Sequence, residues 1–255
     1  MPTLHFVKEG RGPLVVLGHA LGCDLTMWDG VAAQLAPSFT VLRYDQRGHG
    51  QSPMVPGPFS IEDMADDAAA LIAAQADGPV HFVGLSMGGM VAQALAARHP
   101  QRVASIVVAN SSSLYDDAAR AMWQARIDTV KASGMTAISD GAMQRWFTPE
   151  FRQDRDGAVR VAALRAVLEA SDAGAYADAC DAVSRIDFTA SNARIACPVL
   201  VIGGTRDEAT PMAMSEAIRG AIAGAELAAI HAAHLSAVEK PAEFARLVAE
   251  FIRRH

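Results

Sequence analysis

Val80-His81-Phe82-Val83-Gly84-Leu85-Ser86-Met87-Gly88-Gly89-Met90-Val91 is the stretch on which the reading of this chain turns. Val80–Val83 reads as a strand and Met87–Arg98 as a helix. Between them, Gly84-Leu85-Ser86-Met87-Gly88 has the form G-x-S-x-G. A turn this sharp forces the serine backbone into strain and pushes its Oγ out at the sheet edge. Gly84 and Gly88 are required because a Cβ at either position would collide with the neighbouring chain. The helix start then faces a reacting oxygen, where free N–H groups and the helix dipole favour negative charge. Ser86 is therefore a candidate nucleophile.

Working outward, short apolar runs recur on both sides. Leu14–Leu17, Thr40–Tyr44, Val103–Ala109, Val199–Ile202 and Leu227–Ile230 read as strands. Runs without alternation suit a parallel sheet covered on both faces. Helical patterns separate them at Ile61–Gln75, Met87–Arg98, Met212–Arg219 and Ala242–Arg253, and Ser60 with Asp63 forms a capping-box pattern before the first. Alternating strands and helices predict an α/β fold with a mostly parallel central sheet and helices on both faces. From about Leu114 to Arg185 no strand is legible. Ala-rich helices fill that span, with breaks expected near Ser133-Gly134, Thr148-Pro149, Asp156-Gly157 and Ala173-Gly174. Residues 114–185 are expected to be a helical lid inserted into a core made of 1–113 and 186–255.

A serine needs a base to become a nucleophile at neutral pH, and the base needs an orienting acid. On such a sheet the order along the chain is Ser, acid, His. Val199–Ile202 leads into Gly203-Gly204-Thr205-Arg206-Asp207-Glu208. Asp207 is favoured as the acid, with Glu208 as the adjacent alternative. Leu227–Ile230 leads to His231-Ala232-Ala233-His234, and both histidines are candidates. His234 lies deeper in the loop, whereas His231 touches the strand end, where a structural histidine is more usual. The early loop Gly18-His19-Ala20-Leu21-Gly22 is expected to supply one oxyanion donor, Leu21 N–H, and the residue after the serine the other, Met87 N–H. His19 is assigned to holding that loop. Asp45-Gln46-Arg47-Gly48-His49-Gly50-Gln51-Ser52 reads as a tight turn in which Asp45 and Arg47 satisfy backbone groups.

Composition narrows the partners. Of 255 residues, 51% are hydrophobic and 20% charged, which excludes disorder as the dominant state. Lys and Arg number 22 against 28 Asp and Glu, a net charge of −6. That balance argues against broad nucleic-acid binding and means that an anionic substrate needs a local cation. The odd cysteine count, Cys23, Cys180 and Cys197, fits small apolar fillers in a reducing compartment. No basic-then-apolar leader opens the chain and no apolar run is bilayer-length, so a soluble cytoplasmic protein is expected. No metal-ligand pattern and no nucleotide-binding glycine pattern is present, so no metal and no cofactor is expected.

Together, Gly18–Gly22, Asp45–Ser52, Gly84–Gly89, Asp207 and His234 resemble the α/β-hydrolase superfamily over nearly the whole chain. Within it the chain looks most like the 3-oxoadipate enol-lactonases. The closer marks are Leu21–Asp29, Met122–Ile127, Arg145–Pro149 and Asp207–Pro211. Two positions depart from that pattern: Ala233, where Gly usually precedes the histidine, and Ser236, where Pro is usual. The resemblance implies hydrolysis of a small-molecule lactone or ester, an enol-lactone with a free carboxylate, through an acyl-enzyme in aromatic-acid catabolism. It also implies a partner for that carboxylate. Arg126 and Arg145 in the lid are the candidates, with Trp123 and Trp146 as walls. A small-ester esterase, a perhydrolase-like enzyme or a carbon–carbon bond hydrolase would share the triad and differ in lid lining.

Overall fold

A computed structural model describes residues 3–55 and 57–255. In chain order the elements are β1 (Phe6–Gly10), β2 (Leu14–Gly18), α1 (Asp29–Leu35), β3 (Thr40–Tyr44), α2 (Ile61–Gln75), β4 (Val80–Leu85), α3 (Met87–Arg98) and β5 (Val103–Ala109). Helices α4 (Asp117–Ser133), α5 (Thr136–Trp146), α6 (Pro149–Gln153), α7 (Arg155–Ala170), α8 (Ala173–Ser184) and α9 (Thr189–Asn192) follow. The chain then returns to the sheet through β6 (Val199–Gly204), α10 (Met212–Ala221), β7 (Glu226–Ile230), α11 (Ser236–Glu239) and α12 (Pro241–Ile252).

The strands form one sheet in the order β1-β3-β2-β4-β5-β6-β7. Only the β1–β3 pair is antiparallel; the other neighbours run parallel. Central strands are buried almost throughout, as their unbroken apolar runs require. β1 has no counterpart in the sequence reading. Phe6-Val7-Lys8-Glu9-Gly10 is a half-exposed edge strand, and its charges, which suit an edge, hide it among the apolar runs. α1 was likewise not anticipated, being only seven residues long. At α2 the capping box is present, with Ser60 Oγ accepting from Asp63 N–H and the Asp63 carboxylate accepting from Ser60 N–H.

Between β5 and β6 the chain is helical, and the breaks expected near Asp156-Gly157 and Ala173-Gly174 are found slightly earlier. The break expected at Asp156-Gly157 falls at Asp154, whose carboxylate caps α7 by accepting from the N–H groups of Asp156 and Gly157. Gly157 sits inside that helix because α7 crowds the end of α6: a Cβ there would lie 2.0 Å from the Phe151 carbonyl oxygen. The break expected at Ala173-Gly174 is the first turn of α8, capped by Asp172. The two ends of this helical block are pinned together by an antiparallel bridge between Leu114 and Asp187 and by Phe188 N–H donating to Ser113 O at 2.8 Å. One continuous apolar cluster joins the sheet, its covering helices and Ile127, Trp146, Leu164 and Tyr176 of the block.

Parallel pairing gathers the carboxyl ends of β2, β4, β5, β6 and β7 at one rim, the place where open α/β sheets bind ligands. Among the described residues no helix is long and apolar enough to cross a membrane.

Candidate active site

Ser86 follows β4 with φ 56° and ψ −115°, a backbone region that L-residues rarely adopt. The elbow is held from several sides. Ser86 N–H donates to Ala109 O at 2.9 Å, and its carbonyl accepts from Ser111 Oγ at 2.8 Å. Gly88 N–H reaches across to His19 O at 3.1 Å. A Cβ on Gly84 would stand 1.9 Å from Gly88 O, and one on Gly88 would stand 2.0 Å from Gly18 O. The two glycines therefore set how closely strand, helix and early loop approach.

Three side chains distant in sequence meet at this rim. Ser86 Oγ lies 2.8 Å from His234 Nε2, and His234 Nδ1 lies 2.9 Å from Asp207 Oδ2. An ionised carboxylate only accepts, so the proton sits on Nδ1 and leaves Nε2 free to accept from the serine hydroxyl. Asp207 and His234 are buried. Asp207 Oδ1 accepts from Ala209 and Thr210 N–H, and Oδ2 accepts from the Thr210 hydroxyl at 2.7 Å. Burial pushes this carboxyl up, but His234, the Thr210 backbone and Asn110 outweigh it and hold it at about 2. It is ionised wherever a histidine base works. Glu208 points to the surface, and His231 pairs with Thr205 Oγ1 there, at 3.0 Å.

The early loop brings a second set of groups to the serine. Met87 N–H is the first of α3, and neither it nor Leu21 N–H has an acceptor among the described residues. His19 is fully buried, with Nδ1 donating to Ala20 O at 2.8 Å and Nε2 accepting from Gln46 N–H at 2.9 Å. Burial lowers His19, and burial with the neighbouring His19 ring holds His49 at about 3, so both stay neutral. Asp45 accepts from Leu25 N–H, Gln51 N–H and His5 Nδ1, while Arg47 pairs with buried Asp67. Among the described residues no cluster of His, Cys, Asp and Glu could hold a metal.

The helical block carries a cluster of aromatic and cationic side chains. Trp123 packs edge-on against buried Tyr115, and the Arg126 guanidinium lies 4.8 Å over the Trp123 ring. Tyr115, just before α4, is buried in the common apolar cluster. Arg145 is half-buried; burial lowers it, and Arg126 lowers it further. Arg120, Arg165 and Arg185 of the same block pair with Asp117, Asp140 and Asp181. Arg126 and Arg145 form no ion pair with a carboxylate among the described residues. Trp146 is buried in the common core, and its carbonyl accepts from Leu235 N–H at 3.0 Å.

Several residues at the site escaped the sequence reading. Asn110, at the end of β5, donates to Asp207 Oδ2 at 2.9 Å, and Ser236 Oγ donates to Asn110 Oδ1 at 2.6 Å. Glu239 accepts from Thr148 N–H, Thr148 Oγ1 and Ala233 N–H. For Asn110 a signal existed: a polar residue ending an apolar strand at its carboxyl end. Glu239 carried none, since an acid near a helix start reads as solvated.

A profile of the alpha/beta hydrolase fold family matches residues 13–241. The chain is 34% identical to 3-oxoadipate enol-lactonase 2 of Acinetobacter baylyi, over 99% of this chain and 94% of that protein. The crystal structure of the enol-lactonase from Burkholderia xenovorans superposes with a TM-score of 0.93 at 35% identity, covering 98% of this chain and 96% of that one. A thermophilic esterase from Thermogutta terrifontis superposes with a TM-score of 0.91 at 28% identity, over 98% and 93% of the two chains. The chain belongs to the α/β-hydrolase fold family. It is an enzyme, a hydrolase of ester or lactone bonds.

Proposed function

We propose that this hydrolase opens a carboxylate-bearing enol-lactone, 3-oxoadipate enol-lactone, through an acyl-enzyme on Ser86. The observation that carries the reading is the unbroken line Ser86 Oγ, His234, Asp207, with contacts of 2.8 and 2.9 Å. Ser86 Oγ attacks the lactone carbonyl while His234 Nε2 takes its proton. Asp207 holds the imidazole tautomer and stabilises the imidazolium. The free N–H groups of Leu21 and Met87 receive the tetrahedral oxyanion; one such donor is worth about 2.7–4 kcal/mol. Collapse breaks the acyl–oxygen bond, and the enolate leaves, takes the proton from His234 and relaxes to the ketone. Water, deprotonated by His234, then cleaves the ester to Ser86.

The enol-lactonase relatives support the substrate class. Within the site, Arg126 is the favoured partner for the free carboxylate. It has no acidic partner among the described residues and stacks on Trp123, which packs on buried Tyr115. Arg145 adds charge, and Trp123 is the aromatic wall, Trp146 being buried in the common core. Residues 114–185 act as the lid over a core of 1–113 and 186–255, and the reaction belongs to aromatic-acid catabolism in the cytoplasm. Buried, unbridged Cys23 and Cys180 suit that compartment.

Turnover of the enol-lactone tests the reading. Ser86→Ala is expected to lose about 10³-fold or more in kcat. Arg126→Gln is expected to raise KM for the carboxylate-bearing lactone about 10- to 100-fold and to leave a neutral aryl acetate unaffected. Rapid aryl acetate cleavage by the wild type, without enol-lactone turnover, would assign the site to simple esters instead.

A further inference from the structure

Asp207 is tied into a ring of hydrogen bonds that a group serving only to orient an imidazole does not need. Its Oδ2 accepts from His234, from Thr210 Oγ1 and from the Asn110 amide. Asn110 is fully buried and holds φ 45°, a left-handed conformation that asparagine tolerates better than most residues. Its Nδ2 also approaches Ala233 O at 3.4 Å, and its Oδ1 accepts from the equally buried Ser236 Oγ. Flipping this amide would set Oδ1 against the carboxylate. Ser236 satisfies Oδ1 in the orientation that aims the N–H groups at Asp207. Ser236 also stands two residues beyond His234, so acid and base are joined twice: directly, and through Ser236 and Asn110.

We infer that Asn110, oriented by Ser236, is a positioning residue that draws charge from Asp207 and so sets the pH at which His234 becomes a working base. The inference rests on the Ser86–His234–Asp207 reading. Each donor to a carboxylate disperses its charge and weakens its hold on an adjacent cation. With the Asn110 donor removed, Asp207 holds the imidazolium more firmly. His234 then keeps its proton to higher pH, and the acidic limb of kcat/KM moves up. Among the described residues, Ser86 stands against His234, buried Tyr115 feels the charge of Asp207, Glu239 accepts from Ala233 N–H beside His234, and exposed Arg206 and Glu208 flank Asp207 in sequence; the test leaves all of them in place.

The test is the pH dependence of kcat/KM for the wild type, Asn110→Gly, Ser236→Ala and the double variant, with thermal midpoints measured in parallel. Glycine accepts the positive φ, so Asn110→Gly removes the amide without adding backbone strain. Its acidic limb is expected to rise by about 0.5–1 pH unit. Ser236→Ala is expected to move the limb the same way by less, and the double variant no further than Asn110→Gly, because Ser236 acts through the amide. An unmoved limb in folded Asn110→Gly, or additive shifts, would overturn the inference. If Asn110→Gly does not fold, Ser236→Ala alone decides, and an unmoved limb counts against it. Full activity in Ser86→Ala would remove the triad reading itself, and the role of Asn110 with it.

Discussion

Ser86 lies in a strained backbone region whose cost is on the order of 1–3 kcal/mol, and the elbow around it exists to hold that strain. Gly84 and Gly88 are the parts that cannot change. Their hypothetical Cβ atoms would meet backbone carbonyls, which cannot swing aside as a flexible side chain can. Gly84→Ala and Gly88→Ala are therefore expected to destabilise the fold by more than about 3 kcal/mol or prevent folding, and to abolish labelling of Ser86 by a fluorophosphonate. Gly220 in α10 has open space around it. Gly220→Ala is expected to leave labelling intact and to stabilise by about 0.5–1 kcal/mol. Thermal unfolding and labelling stoichiometry check both expectations.

At the scale of elements, the loop carrying His234 is clamped to the helical block. Glu239 of α11 is a buried carboxylate without a cationic partner among the described residues. It accepts from Thr148 N–H at 3.0 Å and Thr148 Oγ1 at 2.7 Å, just before α6, and from Ala233 N–H at 3.1 Å, next to His234. Leu235 N–H closes a second tie to Trp146 O at the end of α5. A carboxylate is affordable there because its oxygens meet three donors. Glu239→Ala would orphan two buried N–H groups. The expected cost is about 2–5 kcal/mol, with kcat falling more than KM rises as the histidine loop drifts. Glu239→Gln keeps an oxygen for both N–H groups and is expected to lose under about 1.5 kcal/mol. Denaturant midpoints and steady-state kinetics separate the two.

For the whole molecule, the apolar cluster runs without interruption from the sheet into the helical block. A single contiguous core predicts a single cooperative transition. Trp28 reports on the core, while Trp123 and Trp146 report on the block. Fluorescence of single-tryptophan variants and loss of activity are expected to share one denaturant midpoint; separate midpoints would show the block melting on its own. The strands of the central sheet, the elbow and the order serine, acid, histidine were all legible in the sequence. The strands and the elbow rest on short-range physics, apolar runs for buried strands and glycine sterics at a tight turn, whereas the order follows from which strand ends such a sheet gathers at its rim. The edge strand β1 was illegible because its charges break the apolar pattern. Which histidine stands beside Ser86, which acid stands beside that histidine, and the Asn110–Ser236 link were decided only in three dimensions. Asn110 meets Asp207 across 97 residues and Ser236 across 126. Such partners have no local signature, because the donor and acceptor find each other only after parallel pairing has brought the strand ends to one rim.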